Sequence, residues 1–142
     1  MILVDANLLL YAVNRDLPQH ARALAWWESA LSGREPVALA WVVVLAFLRI
    51  STNPRIFERP LTIKQATAYM DEWLAVSVVK PIAPGAGHWA ILRQLLVHNG
   101  AAGNLSTDAH LAAIAIENGC TIFSADNDFK RFTGLVHVNP LA

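Results

Sequence analysis

Ile2-Leu3-Val4 is apolar at every position and ends on an acid, Asp5. A strand with one face in water alternates apolar and polar residues; a strand without alternation is covered on both faces. Val37-Ala38-Leu39 and Thr121-Ile122-Phe123-Ser124 repeat the pattern, the second closing on a polar residue. Segments of helical character lie between these runs. Such alternation predicts an α/β fold, a three-layer α/β/α sandwich about a mostly parallel central sheet.

The punctuation places the helices. Asn7 to Val13 reads as a short helix, and Pro18 to about Leu31 as a longer one, with proline in its first turn and Gly33 at its close. Trp41 to about Thr52 reads as a third, stopped by Asn53-Pro54. Thr62 to Ala75 opens on a capping threonine, Gly87 to His98 ends at Asn99-Gly100, and Ser106 to Asn118 ends at Gly119. Val78 to Ile82 suits a strand or an extended connection, and Val136 to Val138 suits a final edge strand. The five tryptophans fall in these helical segments, where core or interface packing is the expectation.

Composition narrows the class. At 142 residues, 55% hydrophobic and 15% charged, the chain is expected to be one domain over 1–142 and is too apolar for disorder. Eleven basic residues balance eleven acidic ones, which argues against a uniformly basic nucleic-acid binder. So few charges imply apolar surface covered by a partner or a second copy. The single cysteine, Cys120, excludes an internal disulfide and a cysteine-rich zinc site, and reads as a small buried hydrophobe. The N-terminus lacks the basic start of a signal peptide, and the longest apolar run, Val37 to Leu48, falls short of the roughly 18 residues of a membrane span. No membrane partner and a cytoplasmic location are the expectation.

Four of the six aspartates stand where secondary structure changes. Asp5 ends the first strand, Asp108 opens the late helix, and Asp126 and Asp128 follow the strand 121–124. Carboxyl ends of parallel strands are where such sheets build their sites. Each acid alone could be a helix cap. Together at one rim they would repel one another and raise each other's pKa values, and a hard divalent cation relieves that repulsion through oxygen ligands. Neither cysteine nor histidine belongs to these motifs, which disfavours zinc; His110 lies close by but is expected to point elsewhere on its helix.

Asp5-Ala6-Asn7 after an apolar strand, Thr107-Asp108-Ala109-His110-Leu111-Ala112-Ala113 and Ser124-Ala125-Asp126-Asn127-Asp128-Phe129 together resemble the PIN domain. Within it, the chain looks like the VapC ribonuclease toxins of VapBC toxin–antitoxin systems, a likeness that includes Phe47-Leu48-Arg49-Ile50 and the ending Phe132-Thr133-Gly134-Leu135. The resemblance implies an endoribonuclease dependent on Mg²⁺, with Mn²⁺ as an alternative. Asp5, Asp108 and Asp126 would hold the metal, with Asp128 beside them as a further catalytic acid. Asn7, Thr107 and Ser124 would steady the carboxylates. Hydrolysis by metal-activated water would leave a 5′-phosphate and a 3′-hydroxyl. The implied partners are an RNA, transfer RNA being the family's suggestion, a VapB-type antitoxin and a second copy in a homodimer.

One departure stands out. PIN domains usually carry a glutamate on the helix after the second strand, and here that stretch reads Val44-Leu45-Ala46-Phe47-Leu48-Arg49, with Ala46 in the acid's place. Fewer protein ligands and more water at the metal follow, or a catalytically impaired module that binds RNA or protein without cutting. A phosphohydrolase with Asp5 as nucleophile is a weaker alternative, because Asn7 stands where its second acid belongs. Arg49, Arg55, Arg59 and Lys64 against Glu58 give segment 49–64 a local excess of +3, and Lys130 and Arg131 add a second basic pair. These are candidates for phosphate contacts, Arg49 foremost because it lies one turn from Ala46.

Overall fold

In a computed structural model, which describes residues 1–100, 103 and 105–142, one sheet runs through the chain. Its strands are β1 (Ile2–Val4), β2 (Val37–Ala40), β3 (Val79–Ile82), β4 (Thr121–Phe123) and β5 (Val136–Val138). Every pairing is parallel and the spatial order is β3-β2-β1-β4-β5. The unalternating strands β1 and β2 are buried at every residue, as their composition requires. Segment 78–82, open between two readings in the sequence, forms a strand from Val79 to Ile82, with Val79 in register with Val37.

Among the described residues six helices flank the sheet: α1 (Ala6–Val13), α2 (His20–Ser32), α3 (Trp41–Ser51), α4 (Ile63–Leu74), α5 (His88–Asn99) and α6 (Leu105–Asn118). Helix α1 packs on α2 and α3, and α5 packs on α6. Phe47 of α3 and Trp27 of α2 both meet Trp73 of α4 edge-on, at ring-centroid distances of 5.1 and 5.6 Å. These rings fill the core beside Leu3, Leu8, Leu9, Leu39, Ile114 and Ile122.

Helix boundaries follow local chemistry. Helix α4 opens with a full capping box: Thr62 Oγ1 accepts from the Gln65 amide, and Gln65 Oε1 accepts from the Thr62 amide. Gly100 closes α5 with a left-handed φ of 59°, a conformation favourable only without a Cβ. Helix α2 starts at His20 instead of Pro18. Asn14 Oδ1 accepts from the Asp16 amide and Leu17 O from the His20 amide, so a turn occupies the residues where the proline was expected to start a helix. The sequence also gave no sign of the 3-10 turn Asn127–Arg131 that follows β4.

The tryptophans divide. Trp27 and Trp73 are core, and Trp26 stacks on Phe123 at 5.4 Å. Trp41 and Trp89 are instead 52% and 65% exposed, which rules out the core half of the expectation for them and leaves interface packing open. With Leu45, Ile56, Ile63 and Val97 they leave large apolar side chains in solvent. No helix is long and apolar enough to cross a membrane among the described residues.

Candidate active site

The chain runs from β1 outward through β2 and β3, then returns to place β4 on the other side of β1. Such a reversal opens a crevice at the carboxyl ends of the two central strands. Asp5 leaves the end of β1, and Ser124 to Asp128 leave the end of β4. The Asp5 amide donates to Phe123 O at 3.0 Å, which fixes these two ends in register.

A partly buried hydrogen-bond network holds Asp5. Its Oδ1 accepts from the Ala6 amide at 2.7 Å, capping α1. Its Oδ2 accepts from the Ser124 hydroxyl at 2.7 Å and from Asn7 Nδ2 at 3.3 Å. Ser124 is fully buried, and its oxygen also accepts from Asn7 Nδ2 at 3.1 Å and from the Asp126 amide at 3.0 Å. Asn7 Oδ1 accepts from the Ala125 amide at 3.3 Å. The cap reading of Asp5 is therefore borne out, and the cap does not take its second carboxylate oxygen away from the rim. Burial raises its pKa, the Ser124 and Ala6 hydrogen bonds oppose that rise, and the Asp126 charge reinforces it.

Asp126 caps the 3-10 turn, its Oδ1 accepting from the Asp128 amide at 2.9 Å. Asp108 reaches the same rim from the first turn of α6. Burial, with Asp126, Asp5 and Asp128 adding their charges in that order, pushes its pKa up to about 6 against a partial offset from Arg131. The segments foreseen in the sequence thus deliver carboxylates that sense one another.

Asp5 and Asp108 face a cleft of about 50 Å³, lined also by Ala6, Thr107, Val42, Val43, Ala46 and Leu111. Ala46, which the sequence reading put in the place of the PIN glutamate, is a wall of this cleft. Thr107 is exposed and lines it without hydrogen-bonding a carboxylate among the described residues, so the steadying role expected of it is not seen. Asp128 is exposed and lies 3.5 Å from the Arg131 guanidinium, at the edge of the rim. The donors are carboxylate oxygens whose charge Arg131 offsets only in part, a donor type that suits a hard divalent cation. Among the described residues, however, no three acidic, cysteine or histidine side chains stand close enough together to hold a metal ion.

Of the basic residues, Arg49 is exposed on α3 and lies one turn beyond Ala46. Arg59 is paired with Asp16, which removes one charge from the excess read in 49–64. Arg131 is engaged by Asp128. His110 turns away from the carboxylates: its Nδ1 lies 2.9 Å from His88 Nε2, and burial followed by the His88 charge lowers its pKa.

His137 carried no signal in the sequence. On edge strand β5, its Nε2 meets Ser124 O at 3.0 Å, bracing the segment that holds Asp5 and Asp126. A single histidine in an edge strand cannot be assigned such a partner without the strand order.

The PIN domain family model matches residues 2–135, and the chain belongs to that family. It is 44% identical to Ribonuclease VapC37 of Mycobacterium tuberculosis over 135 residues, 95% of this chain and 94% of that one. It is 43% identical to Ribonuclease VapC33 of the same species over 141 residues, 99% of each chain. Among solved structures, VapBC2 from Rickettsia felis bound to a promoter DNA fragment superposes with a TM-score of 0.71 at 19% identity, covering 98% of each chain. Mycobacterium tuberculosis VapC20, a toxin that cleaves the sarcin-ricin loop, gives 0.69 at 20% identity, covering 96% of this chain and 99% of that one.

Proposed function

We propose that the chain is an endoribonuclease toxin that hydrolyses RNA with the help of Mg²⁺ or Mn²⁺ and is restrained by a VapB-type antitoxin. The observation that carries this reading is the convergence of Asp5, Asp108 and Asp126 from three distant segments on the crevice between β1 and β4. Full-length similarity to ribonucleases named VapC supports RNA as the substrate class. Transfer RNA is the first substrate to try.

Asp5, Asp108 and Asp126 would hold the cation, which when bound supplies Lewis acidity and a lowered pKa for water. Ser124 and Asn7 keep the Asp5 carboxylate in one orientation. Apolar Val42, Val43 and Leu111 limit water in the cleft, which strengthens charge interactions there. Arg49, exposed on the α3 stripe that passes through Ala46, offers a phosphate contact. The solvent-exposed Trp41, Leu45, Ile56, Ile63, Trp89 and Val97 supply apolar surface for an antitoxin segment and for a homodimer.

Ala46 favours a second reading, a PIN module too weak in metal to cut. The phosphohydrolase alternative loses its ground with membership of the PIN family. Both surviving readings are separated by incubating the full chain with bulk transfer RNA in Mg²⁺ or Mn²⁺, with EDTA and Asp5→Asn controls. Metal-dependent cleavage leaving 5′-phosphate ends, absent in Asp5→Asn, is expected. Binding without cleavage under either metal would support the impaired module.

A further inference from the structure

Trp41 stands at the same sheet edge as the carboxylate rim. Strands β1 and β2 run parallel, with Ile2 opposite Val37 and Leu3 opposite Ala38, so both carboxyl ends reach that edge. Asp5 follows β1, and Trp41 follows β2 as the first residue of α3. The next two residues, Val42 and Val43, line the cleft with Asp5 and Asp108. The indole itself is turned outward: Trp41 is 52% exposed and pairs with no other aromatic ring among the described residues. Exposed Leu45 and Arg49 follow at spacings of four, so the three residues share one face of α3 about 12 Å long. Arg49 is the one charged residue in Trp41–Ser51.

An RNA whose phosphodiester reaches Asp5 and Asp108 lays its neighbouring nucleotides on the borders of this cleft. An unpaired nucleotide offers a flat base and a charged phosphate. Indole stacks on the first whatever the base, and guanidinium pairs with the second. An apolar protein face laid here would cover Arg49 without pairing it, whereas a nucleotide strand engages ring and guanidinium together. Resting on the reading of RNA as substrate, we propose that Trp41 is a base-stacking platform for single-stranded RNA at the mouth of the cleft, with Arg49 on a phosphate further along the same strand. A base stacked inside a duplex has no face to offer, so the platform favours unpaired RNA. A protein segment laid over Trp41 would displace the base, so the two uses of this surface exclude one another.

The test is fluorescence anisotropy of the full chain with a labelled oligoadenylate and with an abasic oligomer of the same length, in EDTA so that neither is cut. Wild type should bind the oligoadenylate about tenfold tighter than the abasic strand. Trp41→Leu, apolar without a ring, should reduce that preference to about twofold or less, and Trp41→Phe should keep most of it. Arg49→Gln should weaken both strands alike and lower the log–log salt slope by about 0.7. Trp41 is more than half exposed, so these variants should fold, and circular dichroism checks each one. Metal-dependent cleavage of bulk transfer RNA by wild type is measured alongside.

Equal affinity for the two strands, or no binding of either, in a wild type that cuts transfer RNA would overturn the proposal and leave the ribonuclease reading standing. A full base preference retained in folded Trp41→Leu would overturn it as well; loss of a dimer in that variant would then assign the stripe to contact between copies. Wild type that neither binds nor cuts RNA would overturn both.

Discussion

Replacing Asp108 by asparagine should stabilise the metal-free chain above pH 6, although it removes a charge from a helix start. The carboxyl of Asp108 is pushed from 3.8 to about 6 by burial and by Asp126, Asp5 and Asp128. At about 1.4 kcal/mol per pH unit, that amounts to roughly 3 kcal/mol of opposition to its ionised form. Asp108 is only partly buried, and solvent screening reduces the figure to about 1 kcal/mol. Against this, a carboxylate in the first turn of α6 gains about 0.5 kcal/mol from the helix dipole. Repulsion wins by about 0.5 kcal/mol. The folded chain keeps this proton up to about pH 6, whereas the unfolded chain releases it near 3.8. The folded state therefore binds more protons across that window, and its stability falls as pH rises through it. Urea unfolding in EDTA at a series of pH values reads the effect: Asp108→Asn should exceed wild type above pH 6 and lose that advantage by pH 4. Added Mg²⁺ should narrow the gap by stabilising wild type selectively. A variant no more stable than wild type at pH 8, or a gap indifferent to pH, would refute the mutual repulsion of these carboxylates.

Other perturbations have outcomes of known sign. Ser124→Ala removes the hydroxyl that donates to Asp5 and accepts from the Asp126 amide, so a loss of about 2–3 kcal/mol is expected in urea unfolding, with cleavage falling too. Glu117→Ala frees the Gly85 and Gly87 amides, which donate to its carboxylate at 2.8 and 2.9 Å ahead of α5. It should cost about 1–2 kcal/mol while leaving the cleavage rate of the folded protein near wild type, since this clamp lies outside the carboxylate rim. Phe47→Ala empties a fully buried position against Trp73 and should cost about 3–5 kcal/mol, visible as a lowered thermal midpoint.

What the sequence made legible was whatever a local pattern could encode. Unbroken apolar runs gave β1 and β2 because burial on both faces leaves a compositional mark over three or four residues. Asp5 and Asp126 stood out as candidates because each caps an element, Asp108 because it lies in the first turn of a helix, and Thr62 was legible because its capping partner Gln65 is three residues away. Pro18 misled because the chain spends those residues on an Asn14 turn, which a proline tolerates as well as a helix start does. His137 was invisible because its partner, Ser124, becomes a neighbour only through the β4–β5 pairing. Arg59 looked like a free cation for the same reason: Asp16 lies 43 positions away in sequence. The wall formed by Val42, Val43 and Ala46 needed the packing of α3 against the rim, since the same residues read equally well as plain core.

The account stands on carboxylates acting through a metal, and Asp126 is the sharpest place to test it because it caps a short turn without being buried deep in the core. Single-turnover cleavage of transfer RNA at saturating Mn²⁺ should be about 100-fold slower in Asp126→Asn, whose amide oxygen can still cap the 3-10 turn, while unfolding midpoints stay close. A rate equal to wild type in that folded variant, or wild-type cleavage that survives EDTA, would contradict it.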